Sequence, residues 1–484
     1  MAKKEVDEKG ITVKKAENFS EWYVQVLTKS EFIDYTDVSG ALAYRPAAYA
    51  AWQMITDAVD KEFKRIGIQN VYFPLFIPEK YLEKEKEMLK GFTPEVAWVT
   101  HAGDTKLSER LAVRPTSETI MYASYSKWIR SWRDLPLRYN QWNNVVRWEF
   151  KDPTPLIRGR EFLWNEGHTV FATEKEASAE RDVILSIYET VLKEYLALPG
   201  IVGQKTAKEK FPGAIASYSI EQLMPDMLVV QGPDFHADGQ TFSKAFDIKF
   251  LDKEGKTSYA WQNTYAITTR ELGVMAATHS DDKGLVLPPK VAHIQVAIVP
   301  IYRDENREDV LKFARKVAGL LGDEFRIKID DREGYTPGFK FADWELRGIP
   351  LRVEIGPKDM EKKQVVLVRR DTGAKSETDL GNIATKVNVI LKDIHNNLYK
   401  KAEEFMVANI HTNVKSYSEF KKVMKEKGGI IHAPWCEDQS CEDKIKEETG
   451  AKITNMPFKS CPLEPKCIYC NKKAKKMANF AKSY

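Results

Sequence analysis

A chain of 484 residues, 43% of them hydrophobic, has material for about three domains with cores of their own and is too apolar for a disordered tail. Its formal charge of +4 permits an anionic partner without demanding one, and the lysine groups at Lys421, Lys422, Lys425 and Lys427 and in the terminal NKKAKKMANFAK suit RNA and a solvated surface equally. The start, MAKKEVDEKG, lacks a signal-peptide core, and no apolar run approaches the roughly 18 residues of a membrane span, so a cytoplasmic protein with no membrane partner is expected.

After Pro46, Trp52, Ile55, Val59 and Phe63 recur at three- and four-residue spacing, which predicts a helix capped by Gly67. IQNVYFPLFIP then reads as one strand interrupted by Pro74, placed at an edge or interface. RPTSETIMY sets Thr116, Ser117 and Glu118 in a turn-like loop, although Ser and Thr before Glu also begin ordinary helices.

The densest chemistry lies in VVRWEFKDPTPLIRGREFLWNEGHT. Two alternating strands joined by the proline-bearing KDPTP predict an antiparallel pair, with Arg147 and Glu149 on one face and Arg158, Arg160, Phe162, Trp164, Glu166 and His168 sharing another. Guanidinium groups that fork onto phosphate, a planar aromatic for a base, and an acid and imidazole beside a tryptophan fit a nucleotide and a small cationic ligand. An ordinary charged hairpin is the plain alternative.

Downstream, EASAERDVILSIYETVLKEYL predicts a helix with the stripe Ala179, Val183, Ile187 and Val191. QGPDFHADGQTFSKAFDIKF brings Gln231, Asp234 and His236 ahead of an alternating strand, and TYAITTRELGVM adds Thr268 and Arg270. Composition then changes: HIQVAIVPI, FRIKIDD, LRVEIGP and KQVVLVRR are compact strands, with helical patterns from Glu305 to Leu321 and from Phe339 to Arg347, which argues a separate α/β domain. A helix striped by Ile383, Val387, Ile390, Ile394 and Leu398 leads to a cysteine module. All five cysteines lie there. Cys436 and Cys441 in C-x4-C and Cys467 and Cys470 in C-x2-C have the spacing of a structural zinc site, with Cys461 left over.

The order R-x-E, loop, R-x-x-x-F resembles motif 2 of the class II aminoacyl-tRNA synthetases, and the long helix followed by a proline-ended strand resembles their dimer-forming motif 1. Over nearly the whole chain, VRPTSE, NQWNNVVRWEF, REFLWNEGHT, TTRELGV, DDKGLVLPP and the C-terminal cysteines resemble the prolyl-tRNA synthetases of the archaeal and eukaryotic type. That resemblance implies a multidomain α/β and α+β protein: an antiparallel-sheet class II catalytic core over 1–290, an α/β anticodon-binding domain over 291–400, and a C-terminal zinc-binding α+β domain over 401–484. It implies a homodimer that activates L-proline with ATP and Mg2+ and transfers it to tRNA(Pro), with Zn2+ as a structural ion.

Residue by residue, the resemblance puts Arg147 on the α-phosphate and carboxylate, with Arg270 beside it as the second catalytic arginine. It puts Glu149, Arg158, Phe162, Gln231, Asp234 and Thr268 around ATP, and Thr116, Glu118, Trp164, Glu166, His168 and His236 around proline. Asp331, Glu345 and Arg347 become candidates for reading anticodon bases, and Tyr484 a terminal residue whose carboxylate approaches the active site. The chain departs from the family where Pro233, Asp234 and Phe235 replace glycine, threonine and a small residue, and where Tyr265-Ala266 replaces Trp-Gly. These changes are expected to reshape the pocket wall, leaving open whether it still selects proline or another small amino acid. The stretch from His168 to Trp261 is too short for the bacterial form's editing insertion, so rejection of cysteine and alanine, separated from proline by about 1–3 kcal/mol per methylene, would fall to another protein. A synthetase-like RNA-binding protein without catalysis is the rival reading, opposed by the intact arginines.

Overall fold

The structure is a computed structural model that describes residues 9–88, 95–149, 152–458 and 466–484; Cys461 and the charged start through Glu8 lie outside the described residues. Leu137–Val146 and Glu161–Phe171 form the expected antiparallel pair, in continuous register from Leu137 opposite Val170 to Val146 opposite Glu161. Trp261–Ala266, Val229–Gly239, Ala216–Leu223 and Ile201–Gln204 add antiparallel to one side. Period-two alternation gives this sheet two different faces. Helices Pro46–Arg65, Glu174–Glu194 and Arg270–His279 bury one face in the main core, and Glu118–Trp128 and Thr241–Phe246 pack on the other.

The sheet does not stop at the catalytic core. Lys452–Pro457 of the cysteine module pairs with Ile201–Gln204, and Lys476–Ala481 and Ile430–Trp435 continue outward, giving eleven strands among the described residues. The predicted α/β domain is a five-stranded sheet in which Ile327–Ile329, Val296–Pro300 and Leu351–Ile355 run parallel and Gln364–Arg369 and Lys375–Asp379 return antiparallel. Its own core is closed by helices Arg307–Leu321 and Ile383–Ala408, and the predicted stripe from Ile383 to Leu398 is wholly buried.

Several expectations are corrected. Residues 68–78 form two short strands, Gln69–Asn70 and Phe76–Pro78, in different sheets, because Pro74 cannot donate to a ladder. Arg147 and Glu149 lie past the end of their strand. Arg158 and Arg160 precede theirs, since Arg158 closes a tight turn by exchanging backbone hydrogen bonds with Thr154 at 2.8 and 3.0 Å. On helix Glu174–Glu194, Ala179 and Val183 face solvent, while Ala177, Glu180, Ile184, Tyr188 and Val191 are buried. The stripe is displaced because Glu180 is accommodated inside, hydrogen-bonded by Thr169 at 2.5 Å and Asn263 at 3.0 Å, which an apolar pattern cannot register.

Phe235 also moves from its expected place, whereas Tyr265 stays in the cavity lining. They sit opposite each other on neighbouring strands and stack in the core with centroids 5.9 Å apart and planes 5° apart. Tyr265 lies across Gly167, where an added Cβ would come within 1.9 Å of its ring. Their rings therefore form one packed pair in the main core; Tyr265 and Ala266 line the pocket, while Phe235 does not. Truncating this ring in Phe235→Ala is expected to lower unfolding free energy by about 3–5 kcal/mol in urea titrations.

Candidate active site

A cavity of about 310 Å³ opens on the face opposite the main core. Of the predicted residues, Thr116, Glu118, Arg147, Phe162, Trp164, Glu166, His168, Gln231, Asp234, His236, Thr268 and Arg270 line it. Glu149 and Arg158 do not; both side chains are exposed beside it.

Strand alternation delivers Phe162, Trp164, Glu166 and His168 in a row. The Phe162 and Trp164 rings meet edge to face at 5.8 Å, and the Arg147 guanidinium sits 5.5 and 5.2 Å from their centroids. Arg147 donates Nε to the Pro115 carbonyl at 3.0 Å, which fixes its plane. Arg270, first residue of its helix, donates Nε to Ile157 O and Nη1 to Gln231 O, both at 2.9 Å. Burial pushes the Arg270 pKa down; Glu271 and Asp234 oppose this, and Arg147 and Arg158 add to it. Arg147 and Arg270 in the lining, with Arg158 near enough to act on Arg270, give this end of the cavity a positive character suited to an anion.

At the other end, Glu166 is buried and accepts from Ser117 N at 3.0 Å, Ser117 Oγ at 2.5 Å, Gln141 Nε2 at 3.1 Å and Asn143 Nδ2 at 2.6 Å, with His168 Nε2 at 3.1 Å. Burial is the largest influence on its pKa and acts upward; His168, Ser117 and Asn143 together outweigh it and hold the carboxyl at about 2. His168 is steadied from the other side by the Tyr122 hydroxyl, 3.2 Å from Nδ1. Asn143 also accepts the Trp164 indole N–H at 2.6 Å. Glu118 begins helix Glu118–Trp128 rather than lying in a loop, Ser117 makes no side-chain cap there, and the Thr116 hydroxyl donates to the Glu118 carboxylate.

The far wall was only partly foreseen. His236 Nδ1 lies 2.9 Å from Ser217 Oγ and Nε2 lies 3.6 Å from Asp234 Oδ2, while burial lowers its pKa. Phe211 stacks on it at 4.7 Å with planes 18° apart. Lys205, Glu209, Lys210, Phe211 and Pro212 were missed because the segment that carries them has no periodicity and no motif.

Cys436, Cys441, Cys467 and Cys470 converge, with all four Sγ atoms within 4.8 Å of one another and Cys436 Sγ 3.6 Å from those of Cys441 and Cys470. A tetrahedron of Zn–S bonds of about 2.3 Å places sulfurs about 3.8 Å apart, so this all-thiol set fits zinc. In the α/β domain Asp331 is exposed, but Glu345 accepts from Lys283 at 2.9 Å and Arg347 donates to Glu31 at 2.6 Å, ties to the catalytic core. Tyr335 and Phe339, stacked at 4.6 Å with the Arg332 guanidinium 5.4 Å from Tyr335, form an aromatic face that the sequence reading passed over. The Tyr484 hydroxyl donates to Asp226 Oδ2 at 2.5 Å, and its side chain is absent from the cavity lining.

Because the folded-state pKa of Glu166 is depressed, its stabilisation is complete above the ordinary value of 4.5 and is lost as pH falls toward about 2. The stability gap between the native chain and Glu166→Gln is thus expected to be largest near neutrality and to narrow below pH 4.5, read from urea melts across that range.

Three family models match: "tRNA synthetase class II core domain (G, H, P, S and T)" over 98–279, "Anticodon binding domain" over 295–390, and "Prolyl-tRNA synthetase, C-terminal" over 417–484. A proline–tRNA ligase 2 of Bacillus thuringiensis subsp. konkukian is 48% identical over 484 residues, all of both chains. A proline–tRNA ligase of Alkaliphilus oremlandii is 45% identical over 467 residues, 96% of each. The crystal structure of prolyl-tRNA synthetase from Cryptosporidium parvum, complexed with halofuginone and AMPPNP, superposes with a TM-score of 0.93 at 44% identity, covering 98% of this chain and 100% of that one. Bacterial relatives stand beside a eukaryotic structure, so these sources do not single out the archaeal and eukaryotic type. With its class II core, anticodon-binding domain and C-terminal module all matched, the chain belongs to the prolyl-tRNA synthetases, the class II proline–tRNA ligases.

Proposed function

We propose that this cavity activates L-proline with ATP and passes the prolyl group to the 3′ end of tRNA(Pro). The observation that carries the reading is one cavity with guanidinium groups at one end and a tryptophan, two histidines and two buried carboxylates at the other. In the proposed assignment Arg147 bridges the α-phosphate and the proline carboxylate, with Arg270 as the second catalytic cation. Phe162 stacks on the base, and Glu149, Arg158, Gln231, Asp234 and Thr268 complete the ATP site. Thr116, Glu118, Trp164, Glu166, His168 and His236 enclose proline.

Trp164 offers its ring face to the pyrrolidine. Glu166 is already met by five donors, so Glu118, hydrogen-bonded only by Thr116 among the described residues, is the carboxylate left for the secondary ammonium. A carboxylate oxygen of proline attacks the α-phosphorus as its bond to pyrophosphate breaks; a terminal ribose hydroxyl then attacks the prolyl carbonyl and AMP departs. Alignment and fixed positive charge supply the catalysis. Magnesium bound with ATP would neutralise phosphate charge; Asp234 contacts Gln231 and His236 through Oδ2, which leaves Oδ1 as a candidate ligand.

Further parts of the reading concern the whole molecule. The domains are taken as 1–290, 291–400 and 401–484, and zinc as the ion held by the four cysteines. Motif 1 with the exposed aromatics Tyr49, Tyr72 and Phe76 supports a homodimer. Clustered free thiols and the absence, among the described residues, of any helix long and apolar enough to cross a membrane support a cytoplasmic setting. The short connection between the strands Glu161–Phe171 and Trp261–Ala266 supports the archaeal and eukaryotic type. Asp331 and the Tyr335–Phe339 face are proposed to meet splayed anticodon bases by hydrogen bonding and stacking, while Glu345 and Arg347 read bases only if they leave their present partners.

Pyrophosphate exchange screened with proline, cysteine, alanine and threonine is expected to be strongest with proline; a stronger response to another amino acid would favour the altered-specificity reading, for which Asp234 and Ala266, opposite each other on neighbouring strands, are departures that line the cavity. Arg147→Ala is expected to lower proline-dependent exchange by about 100-fold or more with an unchanged melting temperature, and undiminished exchange would overturn its role. Metal analysis is expected to find zinc in the native chain, with Cys441→Ser losing it and melting at lower temperature.

A further inference from the structure

The segment 205–214 forms part of the cavity wall yet has no helix or strand of its own. Its internal backbone bonds are few: Lys210 N to Thr206 O at 3.0 Å and Ala214 N to Phe211 O at 3.1 Å. What fixes it in space comes from elsewhere. The strand Ile201–Gln204, which runs into it, is zipped to Lys452–Pro457 of the C-terminal module, and Asn455 Nδ2 donates to Ile201 O at 2.7 Å. Thr206 Oγ1 donates to Glu442 Oε1 at 3.1 Å, with both residues 1% exposed. Lys452 Nζ donates to Glu209 Oε2 at 2.8 Å, and Lys208 pairs with Asp443.

Those ties converge on the amino-acid pocket. Phe211 N donates to Ser217 Oγ at 2.9 Å, Ser217 Oγ lies 2.9 Å from His236 Nδ1, and the Phe211 ring covers His236. Glu442 follows Cys441 directly in the helix Gln439–Thr449, so a single helical turn presents both a cysteine of the thiol cluster and the acceptor for Thr206.

We propose that Glu442, with Lys452 and Asp443 in support, is a positioning residue for amino-acid binding: it braces the 205–214 segment and so holds Phe211 against His236. The inference rests on the reading of this cavity as the proline site. The buried Thr206–Glu442 bond dominates, because losing it leaves the proton of a buried hydroxyl without its acceptor while Thr206 Oγ1 keeps only the Glu209 N–H at 3.2 Å, whereas the exposed Lys208–Asp443 pair contributes little. The C-terminal module then acts on proline binding without touching proline.

The test compares native protein, Glu442→Ala, Glu442→Gln and Thr206→Val as full chains, by exchange kinetics and by hydrogen–deuterium exchange of the 205–214 amides. Glu442→Ala is expected to raise the KM for proline about tenfold while kcat and the KM for ATP stay within about twofold, and to speed amide exchange in the segment. Glu442→Gln, whose amide oxygen still accepts from Thr206, is expected to restore both. Should Glu442→Ala fail to fold, the same result is expected of Thr206→Val. Unchanged proline KM with unchanged amide protection overturns the proposal, as does an equal loss in kcat with both substrates. Because amide protection is read without substrate, failure of the brace is distinguishable from failure of the proline assignment, which appears as native protein without proline-dependent exchange.

Discussion

A carboxylate taken out of water costs several kcal/mol unless its oxygens are met, and Glu166 meets that demand at the centre of the molecule. Its partners come from three places: Ser117 at the start of a helix, Gln141 and Asn143 on the neighbouring strand, and His168 two residues along its own. One buried charge therefore ties that helix start and two strands into fixed register. Trp164 inherits the order through Asn143, and His168 through Glu166 itself. Each of those bonds meets part of a charge that burial would otherwise leave unsatisfied.

The arginines obey a complementary constraint. Arg147 and Arg270 are anchored through backbone carbonyls, which orients their positive charge, and Glu271 and Asp234 stand near enough to Arg270 to offset part of its burial. Arg147 and Arg158 both act to lower the Arg270 pKa, so positive charge is concentrated at this end of the cavity.

Domain organisation follows similar logic. The catalytic sheet would end in an open edge at Ile201–Gln204, and the C-terminal module covers that edge by adding its own strands. On the other side, Arg370, 2% exposed on its side chain, grips Asp281 through two nitrogens at 2.8 and 2.7 Å and joins the α/β domain to the end of the helix that begins with Arg270. Both attachments reach segments that carry cavity-lining residues.

Period-two alternation fixed the platform in the sequence: Phe162, Trp164, Glu166 and His168 had to share a face once Glu161–Phe171 was a strand, and the five-residue span from Cys436 and three-residue span from Cys467 had to bring thiols together. The helix from Ile383 was equally plain from its stripe. Strand limits were not, because Arg158 and Arg160 continue the alternation into a turn whose geometry is set by hydrogen bonds to Thr154. Likewise Phe235 looked like a change in the pocket wall, and only the pairing of two strands distant in the chain stacked it on Tyr265 in the core, out of the cavity lining. Local spacing is written in the chain and determines which groups travel together; which distant group satisfies a buried charge or covers a ring depends on long-range contacts. Thus the reactive residue types were legible from the sequence alone, whereas the occupied state of Glu166, the Phe211 cover and the shared sheet were decided by tertiary packing.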